Sequence, residues 1–202
     1  TPFTSVSKID AGAIQTLFVK SVGTVWGVGS NYYGTLGDGS NIDRYNPVQV
    51  VDSDGVPLGG FTDVAAGAHH SVFLKGDGTV WSVGRNHLGQ LGDGTTLDRN
   101  HPVQVVDANG KPFDEVIAIS AGGHNTVFLK SEGSVWSVGD NGNGQLGNGE
   151  SNNSQVPVQV IDDNGFPLTG ISSIATGGSF NFFIQSTAVL KTAITFYYET
   201  NA

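Results

Sequence analysis

The sequence predicts an all-β chain: a β-propeller built of 55-residue, four-stranded blade repeats, with three full copies and a divergent, partial fourth. Three observations carry this. First, Trp26, Trp81 and Trp136 stand 55 residues apart, Pro47-Val48-Gln49-Val50 recurs at 102–105 and 157–160, and Leu36-Gly37-Asp38-Gly39 recurs at 91–94 and, as Leu-Gly-Asn-Gly, at 146–149. Self-similarity at one fixed period, with no insertion, is the mark of a repeat architecture. Second, each copy divides into four short β-forming segments separated by turn residues, which suits a propeller blade. Third, neighbouring strand residues such as Val72, Phe73 and Leu74 are all apolar. That pattern fits a sheet covered on both faces, as a blade between two neighbours is.

The second copy, residues 56–110, gives the elements in order. Phe61 to Ala66 is a short apolar strand that stops at Gly67, and Ser71 to Lys75 is a second. Gly76-Asp77-Gly78 is the turn between the second and third strands, with glycine supplying positive φ. Thr79 to Val83 is the third strand, stopped by Gly84, and a polar loop from Arg85 to Pro102 leads to a fourth, Val103 to Val106. Asp107 to Gly110 then turns the chain into the next copy, as Asp52 to Gly55 and Asp162 to Gly165 do. The units are therefore 1–55, 56–110 and 111–165, with 166–202 as the partial fourth. A helical reading fails, because the β-branched and aromatic runs are too short and are bounded by glycine.

The 30 glycines are scattered rather than gathered in one tract, as many short strands with tight turns require. A net charge of −9 is the wrong balance for neutralising phosphates, so neither nucleic acid nor an anionic membrane is an expected partner. No 18-residue apolar run is present to span a membrane as a helix. With no cysteine there is no disulfide, thiolate metal site or cysteine nucleophile. Methionine is also missing, even at position 1, so the chain is expected to be a processed product or a segment. Lack of both sulfur residues removes the most oxidisable side chains and points to an extracellular or cell-surface setting.

The run Asp77-Gly78-Thr79-Val80-Trp81-Ser82-Val83-Gly84-Arg85-Asn86-His87-Leu88-Gly89-Gln90-Leu91-Gly92 resembles the signature of the regulator of chromosome condensation repeat family. Ala66-Gly67-Ala68-His69-His70-Ser71 resembles that family's other short motif, and the framework positions Trp26, Trp136, Gly29, Gly139, Gly37 and Gly147 repeat the pattern. The first copy has Thr35 where the others have glutamine. The resemblance covers residues 1 to about 185. It implies a propeller, usually of seven blades, and the bacterial surface or secreted type is expected rather than the nuclear exchange factor.

The fourth copy departs from the pattern. Lys191 stands at the tryptophan position, Ile194 at the strand-ending glycine, and Glu199 to Ala202 replace Gly-Gln-Leu-Gly. Its tail is nonetheless a strong β-forming stretch, and a free edge of that kind invites pairing. Val189, Leu190, Ile194, Phe196, Tyr197 and Tyr198 are the candidate self-association residues. Two readings stand: the strand completes its own blade, or it adds to the open sheet edge of another chain.

No catalytic residue, metal ligand or cofactor is expected. His69 and His124 share a repeat position that is Ile14 in the first copy and Ser179 in the last, which suits a structural role holding a turn by hydrogen bonds. Asp52-Ser53-Asp54-Gly55 begins like a calcium loop but lacks its closing glutamate, so an Asx turn is the better reading. The loops Asp38 to Arg44 and Asp93 to Arg99 read as local salt bridges. Loop side chains such as Tyr32, Arg44, His87 and Arg99 are placed to meet a partner.

These features predict a non-enzymatic structural or interaction protein that pairs with other copies of itself, or with another protein. A two-fold dimer about the propeller axis needs an even blade count, so a head-to-tail chain of arcs is preferred. The alternative is a partner-binding fragment of a longer propeller surface protein. Guanine-nucleotide exchange, the activity of the family's nuclear founder, has no residue-level support: every copy is 55 residues long, with no inserted wedge and no basic tail.

Overall fold

A computed structural model describes residues 3–185. The candidate self-association residues, Val189 to Tyr198, lie outside them. The chain folds as three four-stranded antiparallel sheets and one two-stranded sheet. Sheet one is β1 (Val6–Ala11), β2 (Gln15–Lys20), β3 (Val25–Gly29) and β4 (Arg44–Gln49). Sheet two is β5 (Phe61–Ala66), β6 (His70–Lys75), β7 (Val80–Gly84) and β8 (Arg99–Gln104). Sheet three is β9 (Val116–Ala121), β10 (Asn125–Lys130), β11 (Val135–Gly139) and β12 (Ser154–Gln159). Sheet four holds β13 (Ile171–Thr176) and β14 (Asn181–Gln185).

Each sheet is a meander, and the first strands of successive sheets pack against one another. These are blades set side by side in an arc, with β1, β5, β9 and β13 innermost. The arc does not close among the described residues.

The core is divided among the blade interfaces. Leu17, Val19 and Val25 of blade one meet Phe61, Val64 and Phe73 of blade two. Val72, Leu74 and Val80 meet Val116, Ile119 and Phe128 of blade three. Val127, Leu129 and Val135 meet Ile171, Ile174 and Phe183 of the fourth sheet. Val72, Phe73 and Leu74 are buried although they alternate in direction, as expected for a sheet covered on both sides.

The fourth strand of blade two needs correction at both ends. It runs from Arg99 to Gln104, so it starts ahead of Pro102 and stops two residues short of Val106. Proline inside a strand argues for a loop unless the strand lies at a sheet edge. β8 is such an edge: among the described residues it pairs only with β7, and its register shifts between the Ser82 and Gly84 pairs, around Pro102. No partner strand needs the missing N–H.

Candidate functional site

The loop after the third strand is organised by one buried asparagine per blade. In blade two, Asn86 Nδ2 donates to Asp93 Oδ1 at 3.0 Å and to the Thr95 carbonyl at 3.0 Å, while its Oδ1 accepts from Leu91 N–H at 3.0 Å. Asn31 and Asn141 occupy the same place and are fully buried. Asp93 also binds Arg99 at 2.8 Å, and Asp38 binds Arg44 at 2.6 Å. These are the local ion pairs the loops suggested: Arg44 and Arg99 brace their own loops. Burial acts to raise the Asp38 pKa, but the hydrogen bonds from Ser40 and Arg44, with the Arg44 charge, together hold it below its ordinary value.

The inter-copy aspartates form Asx turns. Asp52 Oδ1 accepts from the amides of Asp54 and Val56 at 3.0 and 2.8 Å, and Asp107 and Asp162 repeat the pattern. Among the described residues no three His, Cys, Asp or Glu side chains gather as a metal set.

The framework residues have distinct roles. Gly84 adopts φ of +115°, and a Cβ there would lie 2.6 Å from the His69 carbonyl oxygen, so neither the backbone nor the space admits a side chain. Gly29 and Gly139 share that left-handed conformation, as Gly37, Gly92 and Gly147 do theirs. Each tryptophan packs half-buried on its blade with a lysine ammonium over the ring: Lys20 over Trp26, Lys75 over Trp81 and Lys130 over Trp136.

Blades are also latched by polar side chains, which the motif reading missed. Ser71 Oγ donates to the Thr35 carbonyl at 2.7 Å, Thr126 Oγ1 to the Gln90 carbonyl at 2.9 Å, and Asn181 Nδ2 to the Gln145 carbonyl at 2.5 Å. Each bond reaches back one blade. The preceding residue reaches forward: Gln15 Nε2 donates to the Gly67 carbonyl at 3.1 Å, His70 Nε2 meets Thr126 Oγ1 at 3.0 Å, and Asn125 Nδ2 donates to Asn181 Oδ1 at 3.0 Å. The available signal was the polarity of the column Gln15/His70/Asn125, interrupted by Phe180 in the fourth copy, and the unbroken polarity of Thr16/Ser71/Thr126/Asn181.

His70 is fully buried, and burial pushes its pKa down to about 3, with the neighbouring His124 and His69 adding to the effect. The Thr126 hydroxyl is already donating to Gln90, so the His70 ring proton sits on Nε2 and leaves Nδ1 enclosed and unpaired.

His69 and His124 do not hold turns by side-chain hydrogen bonds, contrary to the sequence expectation. Their Nδ1 atoms are enclosed without partners, and the rings stack at 6.0 Å between centroids. His87 packs edge-on to His124 at 5.6 Å, Tyr33 packs edge-on to His69 at 5.3 Å, and Arg85 lies over Tyr33 at 4.7 Å. The structure thus gathers loop residues of three blades into one ring-and-guanidinium cluster. Burial, then the nearby Arg85 and His124, lower the pKa of His69, and burial leads the same shift in His87 and His124.

The profile of the regulator of chromosome condensation (RCC1) repeat matches residues 22–74, 77–129 and 132–184. Each match starts at the hairpin before a blade's third strand and ends in the second strand of the next blade. The human E3 ubiquitin-protein ligase HERC2 is 35% identical over 150 residues, 74% of this chain and 3% of that protein. The Ultraviolet-B receptor UVR8 of Arabidopsis thaliana is 32% identical over 155 residues, 77% of this chain and 34% of the receptor. Among solved structures, Prp20p from Saccharomyces cerevisiae superposes with a TM-score of 0.68 at 22% identity, over 91% of this chain and 45% of that one. The chain therefore spans a small part of these curated relatives and under half of that solved propeller. With three consecutive repeats matched, and the blades, latches and glycine framework in place, the chain belongs to the regulator of chromosome condensation repeat family.

Proposed function

We propose that this chain is a non-enzymatic interaction protein, a propeller-repeat subunit whose exposed blade faces pair head-to-tail with other copies of itself. The observation that carries this is a contrast within repeat columns. Ile9 is 64% exposed, whereas Val64 and Ile119 at the same position are 6% and 9% exposed. Phe182 is 64% exposed, whereas Leu17, Val72 and Val127 are at 0%. Ile184 is likewise exposed where Val19, Leu74 and Leu129 are buried.

The two faces are complementary in kind. In every interior junction the Leu17-type face receives the Val64-type face of the next blade. A second copy offering its Ile9 face to Phe182 and Ile184 repeats that junction. Burying two such side chains contributes about 3–6 kcal/mol before the costs of association. The contact joins unlike faces, so it propagates into a ring or a filament. In this reading Val189, Leu190, Ile194, Phe196, Tyr197 and Tyr198 supply outer strands to the last blade, their own or a neighbour's.

The assembly is assigned to the cell surface or exterior, in line with the lack of cysteine and methionine. A second reading is favoured by the small share of the relatives that the chain spans: further blades of one longer polypeptide cover the same faces.

Sedimentation velocity of the full chain across a wide concentration range separates the two. Self-association gives a mass that rises with concentration and falls to monomer in Ile184→Lys and in Ile9→Asp. A wild-type chain that stays monomeric at every concentration overturns the self-pairing.

A further inference from the structure

The chain has three arginines, and two of them are paired within their loops. Arg85 is the third. It makes no ion pair among the described residues, is half-buried, and lies over the Tyr33 ring, its Cζ 4.7 Å from the centroid. Its backbone N–H donates to the His69 carbonyl at 2.8 Å, which ties the start of its loop to the turn before β6.

The two carboxylates that act on the cluster's imidazoles, Asp98 and Asp140, are each hydrogen-bonded within their own loops. Asp98 Oδ1 accepts from Asn86 N–H at 2.6 Å. Asp140 accepts from Gly142 N–H at 3.1 Å and from Gln145 Nε2 at 2.8 Å. Around the guanidinium stand His69, His87 and His124, with Nδ1 of His69 and His124 enclosed. An enclosed N–H without an acceptor is rarer than an enclosed acceptor without a donor, so the ring proton of each sits on Nε2. The cluster therefore offers hydrogen-bond donors and one fixed positive charge, on a protein whose net charge is −9.

We propose that the Arg85–Tyr33–His69–His124 cluster is a recognition site for a carboxylate side chain of an acidic peptide segment in a partner protein. A guanidinium stacked on an aromatic ring is held in plane, and its fork matches a carboxylate with two parallel hydrogen bonds. The stack removes much of the rotamer freedom that binding otherwise has to freeze. This surface lies on the loop side of the arc and is independent of the blade faces invoked for self-pairing, so either can fail without the other.

The test is fluorescence anisotropy of a labelled glutamate-rich peptide against the full-length chain, with the glutamine-substituted peptide as its neutral counterpart. The glutamate peptide binds and the glutamine peptide does not. Arg85→Gln weakens binding at least about tenfold, a modest figure for truncating one side of a hydrogen-bonded charge pair. Arg85→Lys also weakens it, since an ammonium keeps the charge but loses the fork, and Lys111→Gln on a remote exposed turn leaves it unchanged. Thermal melts and circular dichroism of each variant confirm an intact fold. Equal binding of both peptides, an unaffected Arg85→Gln variant, or an equal loss in Lys111→Gln overturns the site.

Discussion

His70 has no place for a second ring proton. Its Nε2–H is committed to Thr126, and its Nδ1 faces protein without an acceptor, so a second ring proton would be a buried charge with an unpaired donor. Its folded-state pKa of about 3 lies below the ordinary 6.5, and the unfolded chain therefore takes up the proton first as pH falls. The stability held by neutral His70 is complete above pH 6.5 and is lost as pH drops toward 3, at up to about 1.4 kcal/mol per unit. Urea melts at pH 7 and pH 5 check this: His70→Gln, which copies Gln15 of blade one, is expected to show a shallower loss than the wild type. Sequence alone singled out the wrong neighbour. His69 and His124 drew notice because they share a column, yet His70, which is Gln15 and Asn125 in its sister copies, is the one that bonds across blades. Its role became visible only when the polar column was set beside the blade it touches.

At the scale of strands, the repeat made most of the fold legible. The first three strands of each blade follow from glycine punctuation and the apolar runs between. The fourth was harder, since Pro47, Pro102 and Pro157 disguise an edge strand as loop. The latches were invisible for a different reason: they join residues 36, 52 or 56 apart, a distance set by the stagger of neighbouring blades rather than by any motif. They are predicted to matter. Thr126→Val keeps the shape of the side chain but removes the donor to Gln90 and the partner of His70. Leaving two buried polar groups unpaired is expected to destabilise the protein by about 2–4 kcal/mol, read as a shift of the urea midpoint at unchanged slope.

For the whole molecule, the blade count and the way the ring is completed are the parts that the repeat does not encode. Each junction is local, and stability in such arrays is close to a sum of unit and nearest-neighbour contributions. Blade one could then sit directly on blade three. Gln15 would find the Gly122 carbonyl, Thr126 would find the Thr35 carbonyl, and Leu17 and Val19 would meet Val116 and Ile119, each pair repeating an existing junction. Excision of residues 56–110 is accordingly expected to leave a cooperative melt and an unchanged per-residue circular dichroism signal. Removal of half that length breaks the columns and should abolish both. The Asx turn at Asp107 to Gly110, described above as a connector, thus doubles as a splice point. A gene that gains or loses DNA in whole-repeat steps between such turns can lengthen or shorten this architecture without inventing a single new contact.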